Sequence, residues 1–361
     1  MNYNDFIILN SFAGPLVLYK AKQTRRRLNM IIVSKDSGDF SSLQEAILSI
    51  PDTPRETVTV LIEPGIYEEK VFIRKHNICL VGKDRENTVI RYGDGAKKQR
   101  GDGTDYGTFN TAAVFFSGSD ITVRNLTFEN TAGPGRVAGQ ALAAFIASDR
   151  TAFYNCAFHG FQDTIFTGDV KDPVFMRLML PDFIEKSTVP WLFDVNRNYF
   201  ENCLISGDVD YLFGPSTAFF NRCRIESRLL SSESTAFITA ASTPSNQEYG
   251  YVFYRCDITG EGGDGSIYLG RPWRDYAKTA FIECAMDKHI HPEGWDNWGK
   301  PKAEAVSSYI EYGNTGPGAA PGKRVSFSKQ LTNPGIPEYF SYDKVLGGHD
   351  GWLPANAYTV K

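Results

Sequence analysis

The stretch FYNCAF, residues 153–158, decides the fold because its pattern recurs along the chain. The unit reads aromatic, variable, usually polar, Cys, variable, apolar, and five of the six cysteines occupy its fourth position. The other copies are FENCLI (200–205), FNRCRI (220–225), FYRCDI (253–258), FIECAM (281–286) and VRNLTF (123–128), the last with Leu126 in place of Cys. Successive spacings of 30, 47, 20, 33 and 28 residues are irregular, yet they cluster at the length of one solenoid coil.

Short Val-, Ile- and Phe-rich segments, each followed by Gly, Asn or Asp, accompany these copies. This pattern is typical of parallel strands that stack along an axis. We therefore predict an all-β fold, a right-handed single-stranded parallel β-helix, with the cysteines pointing inward as a ladder between coils about 4.8 Å apart. Cysteine suits that position because it is small, apolar and readily buried. The alternative is a β-sandwich in which Cys recurs by chance.

The clearest helical pattern lies near the start of the chain, in FSSLQEAILSIP (40–51). We predict a short N-terminal helix that caps the open end of the β-helix, because an uncovered end exposes both core and strand edges. No linker divides residues 30–330, which we predict to be one β-helix domain. We expect residues 1–29 to be a disordered extension, or to be present only because the start codon was wrongly assigned. We expect residues 331–361 to form a tail that packs on the β-helix.

One segment interrupts the repeat. Residues 170–198 carry three prolines and no copy of the unit, so we predict an insertion near the cleft. It could act as a wall or lid, and a contact between subunits of an oligomer is an equal alternative.

Composition limits the classes of partner. The chain has 361 residues, 42% of them hydrophobic, and a net charge near -4, which argues against nucleic acid or an anionic membrane surface. No apolar run reaches the length of a membrane span. No CxxC or Cys/His pairing indicates a metal site, so neither metal nor cofactor is expected.

The N-terminus has an unusual order. An apolar stretch (6–19) precedes a basic cluster, whereas a secretory signal places its positive charge first. We therefore expect a cytoplasmic protein, with secretion as the alternative if the N-terminus is mis-called.

Four polar segments stand out against the strand background: GQALAAF (139–145), GFQDTIF (160–166), DVDYLFG (208–214) and YLGRPWRDY (268–276). Any one of them could be an ordinary turn, since Asp and Gln often hydrogen-bond local backbone. Four of them on successive coils are better explained by a shared groove along one face of the solenoid.

Seven segments follow one another along the chain: GIYEE (65–69), GQALA (139–143), QDTIF (162–166), DYLFG (210–214), LGRPW (269–273), HPEGWDNW (291–298) and YGNTGPGA (312–319). In these segments and in their order the chain resembles the pectin methylesterases, a family of carbohydrate esterases, over roughly residues 32–328. The resemblance implies a right-handed parallel β-helix, in agreement with the repeat. It also implies removal of methyl esters from methylated pectin or oligogalacturonides, by a protein that we expect to be a monomer.

Residue chemistry supplies the expected roles. No GxSxG elbow or His triad is present, so carboxylates must carry out ester cleavage. We predict Asp210 as nucleophile, kept ionised by Arg271, the arginine of the LGRPW match. Asp163 is the predicted acid and base, with its pKa raised by apolar neighbours and by the second carboxylate.

Two amides complete the expected machinery. Gln162 and Gln140 would donate N–H groups to the oxyanion. Because neighbouring side chains on a strand face opposite ways, Gln162 and Asp163 share one groove only if the chain turns or bulges there. The expected substrate-binding residues are Phe161, Trp273, Trp295 and, by resemblance, Thr111; ordinary core packing is the alternative for the aromatic ones.

Two rival functions remain open. A glycoside hydrolase or lyase on the same fold also uses carboxylates, although the polygalacturonase-type DD and GHG elements are missing. A non-catalytic carbohydrate-binding β-helix is the second rival.

Overall fold

Three parallel sheets make up the protein. The computed structural model describes residues 30–168, 193–228, 236–332, 339 and 341–354. The described residues form sheets of 11, 8 and 7 strands, and equivalent strands of successive coils pair in parallel. This is a parallel β-helix, which confirms the predicted fold class.

The strands are numbered in chain order, and within each sheet they stack along the axis in that same order. Sheet A contains β1 (Met30–Val33), β2 (Val58–Ile62), β5 (Ile78–Gly82), β8 (Ser119–Arg124), β11 (Asp149–Tyr154), β14 (Arg197–Glu201), β17 (Thr217–Asn221), β20 (Tyr251–Tyr254), β23 (Lys278–Ile282), β25 (Ser308–Tyr312) and β26 (Ser328–Gln330). Sheet B contains β3 (Gly65–Glu68), β6 (Thr88–Tyr92), β9 (Thr127–Asn130), β12 (Ala157–His159), β15 (Leu204–Gly207), β18 (Arg224–Ser227), β21 (Asp257–Gly260) and β24 (Ala285–Met286). Sheet C contains β4 (Val71–Ile73), β7 (Val114–Phe116), β10 (Ala144–Ile146), β13 (Ile165–Thr167), β16 (Val209–Gly214), β19 (Ala236–Ala241) and β22 (Ile267–Gly270).

Helices are short in the described ranges. They are α1 (Leu43–Ser49), α2 (Gly135–Ala138), α3 (Pro301–Val306) and α4 (Tyr342–Leu346), with 3-10 turns at Thr108–Thr111 and Pro321–Lys323. None of these helices has the length and apolar character needed to cross a bilayer.

The sequence repeat is the corner between sheets A and B. Its aromatic residue is the last but one of a sheet A strand, and successive rings stack with centroids 4.4 to 4.9 Å apart from Phe153 to Phe281. Its polar residue adopts a left-handed conformation, with φ between 50° and 54°, in all six copies. The backbone therefore bends at this position as it passes from sheet A to sheet B, and the next residue is buried in the core.

The cysteines form the predicted inward ladder. All five cysteines of the repeat are at most 1% exposed, and Leu126 occupies the same position in the sixth copy. Each Sγ lies 3.3 to 3.6 Å from a carbonyl oxygen of the preceding coil, as for Cys203 and the oxygen of Phe153. A small side chain with a weak S–H donor fits a corner where backbone carbonyls approach closely.

Helix α1 lies at the N-terminal end of the stack, as predicted, within the expected 40–51 range. Its buried Leu43, Ala46 and Ile47 belong to the main core. Ser42 is the N-cap, and the Glu69 carboxylate accepts bonds from the Ser42 hydroxyl and the Leu43 amide at 2.6 and 2.8 Å. A carboxylate at the start of a helix satisfies unpaired N–H groups and complements the helix dipole.

The C-terminal segment packs on the outer face of sheet A. Val345 and Leu346 of α4 are buried there against the sheet. Arg197 joins the two parts, since its guanidinium donates to Asp149 of β11 at 2.7 Å and to Asp350 at 2.5 Å.

Two predictions fall largely outside the described residues. The extension 1–29 lies there entirely. The predicted insertion 170–198 was too long at its end, because Arg197 and Asn198 already belong to β14 and pair with Thr217 and Ala218 of β17.

Candidate active site

The four polar segments meet along sheet C. Gln140 precedes β10, Asp163 precedes β13, Asp210 lies in β16, and Arg271 follows β22. These strands are stacked in the order β22-β19-β16-β13-β10. The solenoid therefore brings side chains that are distant in sequence to one face.

Both aspartates sit in left-handed backbone. The φ angle is 64° at Asp163 and 49° at Asp210. The Asp163 amide donates to the Val209 carbonyl at 3.0 Å, which joins the two segments. At Asp210 the pairing of β16 with β19 shifts register between Val209 and Leu212. The predicted turn is present, and a bulge accompanies it at the second carboxylate.

Arg271 binds Asp210 through two bonds. Its Nε donates to Asp210 Oδ1 at 2.9 Å and its Nη2 to Oδ2 at 2.6 Å. The side chains of Asp210 and Arg271 are 8% and 18% exposed, so water competes little with this pair. Such a fork fixes both the charge and the plane of a carboxylate.

The two carboxyl groups differ in acidity because Arg271 binds only one of them. Burial raises the pKa of Asp163 well above the ordinary value, and the charge of Asp210 raises it further. Burial also raises the pKa of Asp210, but the hydrogen bonds and charge of Arg271 oppose that rise. The pKa of Asp163 is therefore raised more than that of Asp210, so Asp163 keeps its proton to higher pH, a difference that suits an acid and a nucleophile.

The two glutamines lie on adjacent coils. The Ala141 amide donates to the Gln162 carbonyl at 3.0 Å, and the Gln140 carbonyl accepts from Ala96 at 2.8 Å. The Gln162 side chain packs against Gly135, where an added Cβ would lie 2.4 Å from Gln162 Oε1. Both glutamine side chains are half-buried. Gly135 thus leaves the space that the Gln162 amide occupies.

Aromatic rings form the wall beside the carboxylates. Trp273 is half-buried, and its ring centroid lies 5.7 Å from that of Phe213 and 6.4 Å from that of Phe166. Trp273 and Phe166 also line a cavity of about 610 Å³ that reaches Tyr249 and Lys344. On the other side, the Arg228 guanidinium lies 4.5 Å from the Phe161 ring, which is half-buried as well.

Two predicted substrate contacts are wrong. Trp295 is fully buried, its ring stacks on Tyr309 at 4.2 Å, and its Nε1 donates to Glu311 at 3.3 Å. Thr111 is also fully buried, and its hydroxyl donates to the Thr108 carbonyl at 2.6 Å while it accepts from the Leu142 amide. Neither side chain reaches the groove, because both are needed for local backbone and core packing.

Sequence reasoning missed three residues around Arg271. Phe237 and Trp298 lie on either side of its guanidinium in contact distance, at 3.8 and 3.7 Å from the ring centroids. Lys300 donates to the carbonyls of Pro272 and Trp273 at 2.7 and 3.1 Å. Trp298 is the last residue of the HPEGWDNW segment. That motif therefore indicated the right region, but Trp295 was the tryptophan predicted from it.

No group of three or more His, Cys, Asp or Glu side chains in the described ranges is arranged to hold a metal ion.

The sequence matches known proteins over most of its length. A sequence model of the family described as Pectinesterase matches residues 29–173 and 191–348. Pectinesterase 31 of Arabidopsis thaliana is 38% identical over 312 residues, which is 84% of this chain and 87% of that protein.

Solved structures agree with the sequence comparison. Pectin methylesterase from carrot has a TM-score of 0.75 and 29% identity, covering 92% of this chain and 97% of that chain. A pectin methylesterase in complex with a hexasaccharide has a TM-score of 0.71 and 28% identity, covering 90% of this chain and 98% of that chain.

The expectation of a cytoplasmic protein is wrong. The plant proteins that the chain matches are pectinesterases, named for pectin, a polymer that lies outside the cell, and this conflicts with a cytoplasmic assignment. The order of charge and apolar residues near the N-terminus was therefore a misleading guide to location.

The resemblance seen in the sequence motifs is confirmed by the match over most of the chain and by the shared architecture. The chain belongs to the pectinesterase family.

Proposed function

We propose that this site hydrolyses the methyl esters of galacturonate in pectin or in its oligomers, releasing methanol and leaving free carboxylates. Membership of the pectinesterase family supports the reaction, and the relative solved with a hexasaccharide supports a sugar chain as the ligand. The observation that carries the proposal is the Asp210 carboxylate held by Arg271 beside a buried Asp163.

The first half of the reaction forms an acyl-enzyme. An Asp210 oxygen attacks the ester carbonyl carbon, and the carbonyl oxygen becomes an oxyanion. Amide N–H groups of Gln140 and Gln162 donate to that oxygen, which removes the need for water to reorganise around it. The C–OCH3 bond then breaks, and Asp163 gives its proton to the departing methoxide.

The second half restores the enzyme. Asp163, now ionised, takes a proton from a water molecule whose oxygen attacks the acyl carbon. The bond to Asp210 breaks, which returns Asp210 as a carboxylate, and Asp163 is again protonated. The product is first a carboxylic acid, and it becomes a carboxylate by giving its proton to solvent water. The raised pKa of Asp163 suits both steps, since the same group must donate and then accept a proton near neutral pH.

The wall of the groove suits a sugar chain. Aromatic faces stack on the apolar faces of sugar rings, and Trp273 and Phe161 are both half-buried beside the carboxylates. The cavity of about 610 Å³ beyond Trp273 offers room for sugar residues next to the one that reacts.

The test is to measure methanol and new reducing ends from methylated pectin and from short methylated oligomers. We expect wild type to release methanol without new reducing ends, and Asp210→Ala to release none while it still binds the oligomer. New reducing ends without methanol would indicate a glycoside hydrolase or lyase. Binding by wild type without either product would indicate a carbohydrate-binding protein.

A further inference from the structure

The guanidinium of Arg271 is enclosed by two aromatic rings. Its central carbon lies 3.8 Å from the ring centroid of Phe237 and 3.7 Å from that of Trp298. A planar cation this close to an aromatic face is held by cation–π attraction and by stacking. Two rings in contact with the guanidinium restrict how far the group can move away from Asp210.

The Arg271 side chain extends across two strands to reach Asp210. It follows β22, whereas Asp210 lies in β16, and β19 stands between these two strands. Two strand spacings amount to about 10 Å. A side chain that spans this distance has several rotatable bonds, and ordering them costs conformational entropy. Favourable contacts along the Arg271 side chain must therefore offset this loss of conformational entropy.

Phe237 supplies the support along the way. It lies on the intervening β19, where it pairs with Val209, the neighbour of Asp210. Phe237 is 7% exposed and its ring stacks on Tyr268 with centroids 5.5 Å apart, so its own position is fixed.

Trp298 closes the other side at a cost in backbone strain. Its φ angle is 55°, in a region that a bulky residue seldom adopts. The Asp296 carboxylate holds that conformation by accepting from the Trp298 amide at 2.6 Å. Backbone strain that the surroundings maintain is a common mark of a functional position.

We propose that Trp298 and Phe237 are positioning residues for the proposed reaction, which clamp the guanidinium of Arg271 in the plane that presents Asp210 to the ester. The inference rests on the proposed function of the site. Trp298 acts through Arg271 and needs no contact with substrate.

The clamp has a consequence for acidity. The charged or titratable groups that face Asp210 are Arg271, Lys300, Asp163 and Tyr309. Arg271 is the group that opposes the effect of burial most strongly. If the guanidinium loosens, the pKa of Asp210 rises, and the acidic limb of the rate profile moves to higher pH because the nucleophile must be ionised.

The experiment compares Trp298→Leu with Trp298→Phe. Leu keeps an apolar side chain but has no aromatic face, whereas Phe keeps the face. We expect kcat of Trp298→Leu to fall about tenfold, equivalent to about 1.4 kcal/mol of barrier, with KM changed less than twofold. Its acidic limb should move upward in pH, and Trp298→Phe should restore most of both effects.

A matched control comes from sheet A. The Tyr254 ring lies 4.8 Å from the Arg255 guanidinium, and neither residue lines the cavity beside Trp273. Tyr254→Leu should leave kcat and the pH profile of methanol release unchanged. Phe237→Leu should act in the same direction as Trp298→Leu, and thermal unfolding of each variant separates loss of fold from loss of positioning.

Several outcomes would overturn the proposal. A change in KM alone would make Trp298 a substrate-stacking surface. An unchanged acidic limb, or equal losses in the Leu and Phe variants, would leave no role for the ring on Arg271. A wild-type protein that releases no methanol would count against the proposed function, which is a separate result from any difference among these variants.

Discussion

Two sets of residues in this protein share one unusual backbone conformation and use it differently. At the corner between sheets A and B, six residues adopt φ near 50°, and their side chains are half-buried or exposed. At the edge of sheet C, Asp163 and Asp210 adopt the same conformation, but they are only 8% and 6% exposed. The corner uses the turn to direct the next residue inward, whereas the site uses it to aim a carboxylate.

The side-chain types follow from this difference. The corner accepts Asn, Arg or Glu because only the backbone matters there, and neighbouring copies pair at the surface, as Arg255 does with Glu283 at 2.7 Å. The site has no such latitude, since each carboxylate is buried beside the other. A left-handed residue is thus structural when its side chain faces water and a candidate for chemistry when it is a buried acid.

Replacing a site residue should separate activity from stability most clearly. Asp163→Asn removes the acid and base, so we expect kcat for methanol release to fall by about 10²- to 10⁴-fold. Its matched corner variant, Asn202→Ala, should leave kcat unchanged but lower the free energy of unfolding by about 1 kcal/mol, because Ala adopts the left-handed region less readily. Equal losses of kcat in Asp163→Asn and Asn202→Ala would contradict the separation of catalytic from structural left-handed residues.

The same Asp163→Asn protein should also show a characteristic pH dependence of stability. The pKa of Asp163 is raised on folding, so its contribution to stability is greatest at low pH and declines as pH rises toward the folded pKa. Asn does not titrate, and the melting temperature of the variant relative to wild type should increase as the pH is raised from the ordinary pKa of an aspartate toward neutrality. Calorimetry checks this, and a difference that does not vary with pH would contradict the assigned environment.

A smaller effect is expected from Gly135, which touches the site without belonging to it. Gly135→Ala places a methyl group against Gln162 Oε1, so the amide must move and kcat should fall about tenfold to a hundredfold. The control is Gly101→Ala, where an added Cβ meets nothing within 4 Å. If both variants keep wild-type kinetics, the position of the Gln162 amide does not limit the reaction.

The smallest effect concerns the corner alone. Arg222 is exposed and has φ 51°, whereas three other copies carry Asn at this position. Arg222→Asn should raise the free energy of unfolding by about 0.5 to 1 kcal/mol, since Asn tolerates the left-handed region better. Denaturant unfolding measures this free energy. A destabilised variant would show that the Arg222 side chain makes contacts that stabilise the corner.

Much of the fold could be predicted because the sequence repeat marks a turn formed by residues that are adjacent in sequence. The Cys copies mark the same corner in each coil, and a local turn is visible in a local pattern. The helix predicted over 40–51 was found at Leu43–Ser49 for a similar reason, since its N-cap and apolar spacing are contiguous in sequence.

The parts of the site that were missed depend on the register between coils. Nothing near Phe237 in the sequence shows that β19 carries it beneath Arg271. The two tryptophans of HPEGWDNW point to opposite environments, and the segment has no regular strand period from which to tell them apart. Trp295 entered the core and Trp298 the site, so the motif indicated the region but not the residue.

The stacked cysteine thiols can serve as probes of how this protein unfolds. Five unpaired cysteines lie one above another in the core, and each is inert to alkylating reagents while its coil is closed. A solenoid opens unit by unit, so each thiol becomes reactive only when its own coil opens. The order in which Cys156, Cys203, Cys223, Cys256 and Cys284 acquire label would therefore reveal the direction of unfolding along the axis.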